Sequence, residues 1–404
     1  MQLMQILFIT SEGFDTGHST SHLAATLLED IAKSGIDVYS ITSHKTGEYE
    51  DIPDRLLKLE NFRYSIIKRK IINKNNFVIR YLDELKYVFS AFKIWRKLTK
   101  EIDLVLIQSN PNSVFHAILL SIFMRKPIIL NLYDVFPGHA MSIGVMNNKL
   151  IYNALRMLQK ILYKKCKYIV AMSEDMKKEL LTEKVPNEKV KVVRNWFDDT
   201  VFEVLPKQEN KFFNKYNLDT NKFYIQFAGL LGYVFDYKMY LDVAERLKDE
   251  EDIVFLLIGD GNQKEKILAE IKERNVTNIK YFPWQPLNII SDVYNACDIG
   301  IIPLKKGVIG NGVPSKACQL MAAKRVILNS VEDSDYTKLF DDYKMGINVT
   351  NHNPETVAEA ILDLKNNSEK CAELGENAYS FAYENYSRKK NTAQFVDLIN
   401  KSIE

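Results

Sequence analysis

The sequence predicts an α/β protein of two domains, each built on a parallel sheet with helices on both faces. Three observations predict it. Short apolar runs alternate with longer stretches whose apolar residues recur every three or four positions, the β-α-β pattern of a covered parallel sheet. That pattern breaks over a polar, poorly periodic stretch from Phe197 to Asn221 and then restarts. The chain's 404 residues also exceed what one ordinary core holds, so two domains of similar size are expected, joined near residue 200.

Each element follows from its own residues. Met4–Thr10 reads as a strand by its Ile, Leu and Phe. His18–Ser34 reads as a helix, with Leu23, Leu27 and Ile31 spaced by four and Gly35 as its stop. Val38–Thr42 is the next strand. Asp103–Gln108 and Pro127–Leu132 are buried strands on either side of a helical Val114–Phe123, and Lys167–Met172 and Val190–Val193 complete the first half. In the second half, strands are expected at Phe223–Phe227, Ile253–Ile258, Ile279–Phe282, Asp298–Pro303, Val326–Asn329 and Gly346–Val349. Helices are expected over Tyr240–Lys248, Gln263–Arg274 and Ile289–Ala296, and the chain is mostly helical from Pro354 onward.

Composition narrows the class. The apolar fraction, 46%, is that of a globular protein. No apolar run is long enough to span a bilayer without charge, and the opening M-Q-L-M-Q-I-L-F-I-T carries no basic leader. Cys166, Cys297, Cys318 and Cys371 are scattered, without metal or disulfide spacing, and are expected to be reduced and buried in a cytoplasmic protein. No Asp-x-Asp pair ends a strand and no His/Cys cluster could make a cage, so no metal is expected. Net charge is +2, unevenly shared: the first 200 residues carry 29 Lys and Arg against 22 Asp and Glu. The excess lies in Arg63–Lys100 and Lys149–Lys167. Such a balance argues against a nucleic-acid binder and fits an anionic surface met by one domain.

The loops after the strands carry the candidate chemistry, because open parallel sheets bind ligands there. The most informative stretch runs from Ile301 to Leu328. A strand ends at Pro303, a loop follows with Gly307, Gly310 and Gly312, and Pro314 and Ser315 open an Ala-rich helix with Ser315 at the N-cap position. Glycines permit close approach, a helix start offers N–H groups, and Lys316 adds a full positive charge, so the loop suits a diphosphate. An ordinary strand–turn–helix connection uses the same residues. The small polar loop Ser11–His22 could approach a substrate, or could simply turn the chain with Ser19 or Thr20 as cap. Asp134 and His139 place ionisable groups after a strand, where acid/base residues often sit. Gly259 and Gly261 lack the third glycine of a dinucleotide fingerprint and read as a tight turn close to a ligand. Trp284 and Gln285 could flank a flat base or form a packed aromatic corner.

Taken in order, the motifs resemble the retaining GT-B glycosyltransferases of family 4, nearest to bacterial surface-polysaccharide enzymes of the fucosamine-transferase-like subgroup. They are the Ser/His loop Ser19–His22, D-V-F-P at Asp134–Pro137, M-S-E-D-M at Met172–Met176, V-V-R-N-W-F-D at Val192–Asp198 and F-A-G-L-L-G-Y at Phe227–Tyr233. I-G-D-G at Ile258–Gly261, A-C-D-I-G-I-I-P at Ala296–Pro303 and V-P-S-K at Val313–Lys316 complete the series. The resemblance implies two Rossmann-like domains with a deep interdomain cleft. Residues 1–199 would bind the acceptor, 200–385 the nucleotide sugar, and a helix at about 386–404 would cross back. It implies that Gly229 and Gly232, with Lys238 and Gly259 nearby, and the loop Gly310, Asn311, Gly312, Val313, Pro314, Ser315 hold the donor diphosphate. Trp284 and Gln285 would lie against the base, Gln319 near the ribose, and Gly17, His18 and Ser19 at the acceptor. Lys316, Asp134 and His139 would be the catalytic groups. The implied reaction is front-face transfer from a UDP- or GDP-sugar, assisted by the leaving phosphate, with no metal, no other cofactor and no protein nucleophile.

The sequence departs from that pattern in places. The turn after Phe227 has no Arg, leaving Lys238 as a possible substitute. Two glutamate positions fall on Asn311 and Gln319, Tyr133 stands where a His is common, and Lys324 stands where a Gly is common. These departures motivate an alternative, a catalytically inactive GT-B-like partner or glycan-binding protein. The first expectation remains a hexosyltransferase-type enzyme of capsule, O-antigen or exopolysaccharide synthesis. Binding of UDP or GDP separates the two.

The basic segments add a last expectation. Lys149–Lys167 has no acidic residue, and at helical spacing Ile151, Leu155, Leu158 and Leu162 share one face while Arg156, Lys160 and Lys164 lie elsewhere. A core-facing helix with a solvated basic side accounts for the stripe. The basic excess itself predicts peripheral attachment to the inner face of the cytoplasmic membrane, where a polyprenyl-linked saccharide acceptor would be met.

Overall fold

The computed structural model describes residues 4–14, 20–44, 52–69, 77–142, 144, 146–310, 314 and 316–403. The chain divides into two compact units. One comprises Met1–Met141, Val145–Arg194 and Lys389–Glu404, the other Ser142–Gly144 and Asn195–Arg388.

The first unit runs β1 (Gln5–Ile9), α1 (Ser21–Lys33), β2 (Asp37–His44), α2 (Asp54–Leu57), β3 (Phe62–Lys68), α3 (Phe77–Trp95), β4 (Leu104–Gln108) and α4 (Ser113–Phe123). It continues with β5 (Ile128–Asn131), α5 (Gly138–Ser142), α6 (Lys149–Lys165), β6 (Tyr168–Ala171), α7 (Glu174–Thr182) and β7 (Val190–Val192). Its seven strands are all parallel, in the order β3-β2-β1-β4-β5-β6-β7. The second unit runs α8 (Lys211–Tyr216), β8 (Phe223–Ala228), α9 (Tyr237–Arg246), β9 (Ile253–Ile258), α10 (Lys264–Glu273), β10 (Ile279–Phe282), α11 (Ile290–Tyr294) and β11 (Ile299–Pro303). Then come α12 (Lys316–Ala322), β12 (Val326–Ser330), α13 (Asp335–Asp342), β13 (Gly346–Asn348), α14 (Pro354–Asn366) and α15 (Ser368–Asn385). Its six parallel strands lie in the order β10-β9-β8-β11-β12-β13. The last helix, α16 (Arg388–Ile403), belongs almost wholly to the first unit.

The central strands are buried along their whole length, as continuous apolar runs in doubly covered sheets must be. Helix starts follow capping chemistry. Ser173 accepts from the Met176 amide at the start of α7, and Asn148 accepts from Leu150 and Ile151 at the start of α6. α9 begins at Tyr237 rather than Tyr240 because Asp236 caps it, accepting from the Met239 amide. Sequence periodicity did not foresee β3 or α3. β3 is an edge strand with mostly half-buried residues, so its apolar signal is diluted. The stretch Phe197–Asn221 also holds α8, which is capped by Asn210 and carries Phe212 and Phe213 into the core.

Two expectations change. Cys166, Cys297 and Cys318 are buried, but Cys371 is only partly so. On α6, Leu155 and Leu162 are buried and Leu158 half-buried, whereas Ile151 is 49% exposed. The buried seam runs through Leu155, Gln159, Leu162 and Tyr163, and the first turn, Lys149 to Ile151, projects free of it. No helix among the described residues is long and apolar enough to cross a membrane.

Candidate functional site

In an open parallel sheet the crevice lies where the strand order reverses. In the second unit that point is between β8 and β11. Gly229 follows β8 with φ +146°, a conformation that favours glycine. Its N–H donates to the Ile258 carbonyl at 2.9 Å, and the Leu231 N–H donates to that of Asp260 at 2.8 Å. The turn after β8 therefore runs on beside the turn after β9. A Cβ on Gly259 would lie 1.9 Å from the Gly229 oxygen, and one on Gly261 2.4 Å from that of Leu231. The room those glycines leave is filled by the neighbouring turn, not held open for a ligand. Gly259 thus supports Gly229. Gln263 closes the arrangement, its Nε2 donating to the Gly232 carbonyl at 2.7 Å.

The other side of the crevice is the loop after β11. Lys305 N–H donates to the Val234 carbonyl at 3.1 Å, and Asp236 N–H to that of Pro303 at 3.0 Å. Glu332, just beyond β12, accepts from the Gly307 amide at 2.6 Å and from the Ile309 amide at 3.3 Å. One carboxylate thereby fixes the first half of the glycine-bearing loop. Around Gly310 there is open space for a Cβ, and Pro314 is buried. Asn311, Gly312, Val313 and Ser315 lie outside the described residues.

Lys316 opens α12 and turns its side chain back to β8. Its Nζ stands 3.7 Å from the centroid of the Phe227 ring. A Cβ on Gly229 would lie 3.1 Å from the same nitrogen. Lys316 is only half-buried by its own surface, yet desolvation pulls its pKa down to about 7. No described carboxylate is close enough to oppose that shift. The structure therefore brings Lys316, Gly229 and Gly232 to one switch point.

The remaining donor candidates stand differently. Lys238 is exposed on the first turn of α9, and Lys306 is exposed after β11. Gln319 is buried on α12 and Trp284 half-buried. The Gln285 side chain is committed to the protein. Its Oε1 accepts from Lys215 Nζ at 3.2 Å, and its Nε2 donates to Tyr216 Oη at 3.0 Å and to the Pro283 carbonyl at 2.7 Å. Only its backbone is left for a base.

In the first unit the order reverses between β1 and β4. Glu12, after β1, accepts from Thr20 Oγ1 at 2.8 Å and from Gln108 Nε2, at the end of β4, at 3.4 Å. After β5, Tyr133 N–H donates to Ser109 Oγ at 3.1 Å, and Asp134 Oδ1 lies 3.6 Å from His139 Nε2 on α5. Asp134 is raised above the usual carboxylate range by desolvation; His139 opposes the shift and Glu12 adds to it. With 54% of its side-chain surface open, that shift carries little energy. Asp134 and His139 are thus a pair, with Glu12 as a nearby charge that sequence reading passed over. Its signal was the first acidic residue after the first strand. Gly17, His18 and Ser19 lie outside the described residues.

Residues 208–381 match the family model for glycosyl transferases group 1, and residues 21–201 match that for glycosyltransferase family 4. The chain is a GT-B glycosyltransferase. A protein named probable glycosyltransferase WbjE, from Pseudomonas aeruginosa, is 28% identical over 341 residues, 80% of this chain and 81% of its own. Among solved structures, HepE of Anabaena in complex with UDP-glucose superposes with a TM-score of 0.75 at 16% identity, covering 98% of this chain and 100% of that one. WaaG, a glycosyltransferase involved in lipopolysaccharide biosynthesis, gives a TM-score of 0.70 at 14% identity over 98% and 99% of the two chains. At those identities the structures speak for the fold. In this glycosyltransferase the group 1 match contains β8 to β12 and Lys316, and the family 4 match contains Asp134 and His139.

Proposed function

We propose that this glycosyltransferase moves a hexosyl group, with retention, from a UDP- or GDP-sugar to a saccharide borne on a polyprenyl carrier, in the synthesis of a surface polysaccharide. One observation carries the donor half of this reading: an ammonium with no described counter-charge, set against Gly229, which has no side chain, where the strand order reverses. Charge builds on the leaving diphosphate as the glycosidic bond breaks, and a preformed cation at that place stabilises it. Lys316 supplies the charge, and the missing side chain at Gly229 leaves phosphate oxygens room beside its ammonium. Asp134 and His139 orient the acceptor hydroxyl and hold its proton network in the first unit. The leaving phosphate oxygen itself takes the acceptor's proton, so no protein nucleophile takes part and no metal is needed. HepE was solved with UDP-glucose, which makes a UDP-sugar the first donor to try.

The acceptor half rests on the surface of the first unit. The three most exposed large apolar side chains among the described residues, Leu150 at 81%, Met157 at 68% and Phe89 at 59%, all lie on α3 and α6. Lysines flank them, including Lys86, Lys93, Lys160 and Lys164. Apolar side chains ringed by cations suit the headgroup boundary of an anionic bilayer, where a polyprenyl-linked acceptor resides. The attachment is therefore peripheral and at the cytoplasmic leaflet.

A thermal-shift panel of nucleotides and nucleotide sugars tests the reading. UDP or GDP and one cognate sugar nucleotide should raise the melting temperature, undiminished by a chelator. A flat response across the panel contradicts the donor assignment, and a shift abolished by chelator contradicts the metal-free one.

A further inference from the structure

The turn after β8 reads G-L-L-G-Y-V-F-D and carries no cation of its own. The charge at that turn is brought from α12, and what holds it there is an aromatic ring. We infer that Phe227 is a positioning residue for the leaving diphosphate: its ring face seats the Lys316 ammonium at the Gly229 turn. This rests on the reading of Lys316 as the diphosphate's partner.

The geometry is that of a built seat. Nζ lies 3.7 Å from the ring centroid, well inside the range in which a ring quadrupole attracts a cation. Phe235 stacks behind Phe227 with centroids 3.7 Å apart and planes 13° apart. Tyr240 closes on both rings edge-on, at 6.4 and 5.9 Å. All three rings are fully buried, so Phe227 cannot turn its face away. Gly229 then removes the one side chain that would crowd the nitrogen. An ammonium has three N–H bonds. With one directed at the ring, the others remain for phosphate oxygens arriving over Gly229. The ring thus fixes a long, flexible side chain before the donor arrives.

Replacing Phe227 by mono-, tri- and pentafluorophenylalanine weakens the ring's negative face with little change of shape. UDP and GDP affinity would be read by calorimetry, with Lys316→Ala alongside and melting temperature as a check on folding. Affinity should fall stepwise across the series, by roughly 3- to 30-fold in all, with the melting temperature unchanged. A flat series beside a weakened Lys316→Ala overturns the role of the ring and leaves Lys316 in place. Unchanged binding by Lys316→Ala overturns the underlying assignment instead. A series whose losses in affinity track losses in melting temperature shows Phe227 to be a core residue only.

Discussion

Lys316 is a lysine whose ammonium is desolvated before its partner arrives, and this gives its site a pH dependence of known sign. In the free protein its pKa is near 7, and a bound diphosphate must raise it. Binding therefore takes up a proton. Affinity for UDP should be greatest near neutrality and fall by up to tenfold per pH unit as pH rises above 7. The window to measure is pH 7.5 to 9, where the ligand's own phosphate, ionising near pH ~6, is already fully charged. Lys316→Arg, charged throughout, should flatten the profile; a wild-type profile that is flat over the same window contradicts the shift. Lys316, Asp134 and His139 could be picked out of the sequence as candidates because each follows a strand with a chemistry its position does not require. Phe227 and Glu332 were not. Burial in a strand accounts fully for the first until Lys316 is seen on its face, and the second is one acidic residue among many until its two amide donors are seen.

Among the elements, the paired turns after β8 and β9 bear the tightest constraint. Gly259→Ala drives a Cβ into the Gly229 oxygen and asks a side chain to adopt φ +140°. It should cost at least ~3 kcal/mol in a urea melt, whereas Gly310→Ala, with nothing near, should stay within about 0.5 kcal/mol. Equal effects at the two sites would contradict the packing of the turns. On the first unit, α3 and α6 should bind liposomes rich in anionic lipid, but not zwitterionic ones, at low salt. Leu150→Glu with Met157→Glu should abolish sedimentation with them while leaving the fold intact, since both residues are exposed. Binding undiminished in that double variant would move the contact elsewhere, and no binding at all would remove the lipid-borne acceptor with it. The interior strands could be read from sequence because a doubly covered strand is an unbroken apolar run. β3 and α3 could not, because an edge strand shows half its signal and α3 lies among the charges that mark the basic surface. Those charges are also partly spoken for: Arg69 is held by Asp83 and Glu84, at 2.7 and 2.9 Å.

For the molecule as a whole, the chain's last helix ties its end to its beginning. α16 buries Phe395, Leu398 and Ile399; Thr392 Oγ1 donates to Asp30 at 2.8 Å and Lys167 Nζ donates to the Ser402 carbonyl at 2.7 Å. Three such side chains bury roughly 5–9 kcal/mol of hydrophobic free energy, comparable to the ~5–15 kcal/mol that holds a domain together. Removing residues 389–404 should therefore cost the first unit its hydrogen-exchange protection while β8 to β13 keep theirs. Uniform loss across both units would contradict that division. The two-unit α/β plan was visible in the sequence because the strand–helix alternation stops and restarts; the return of α16 came from resemblance alone, since its periodicity names no partner. On the proposed function, turnover depends on the Lys316 charge at the switch point of the second unit. The most direct measurement is the turnover of a cognate sugar nucleotide by wild type and by Lys316→Ala, with circular dichroism to confirm an unchanged fold. A loss of about 100-fold in kcat is the expected result, and near-normal turnover in the variant would contradict the assignment of Lys316 to the leaving diphosphate.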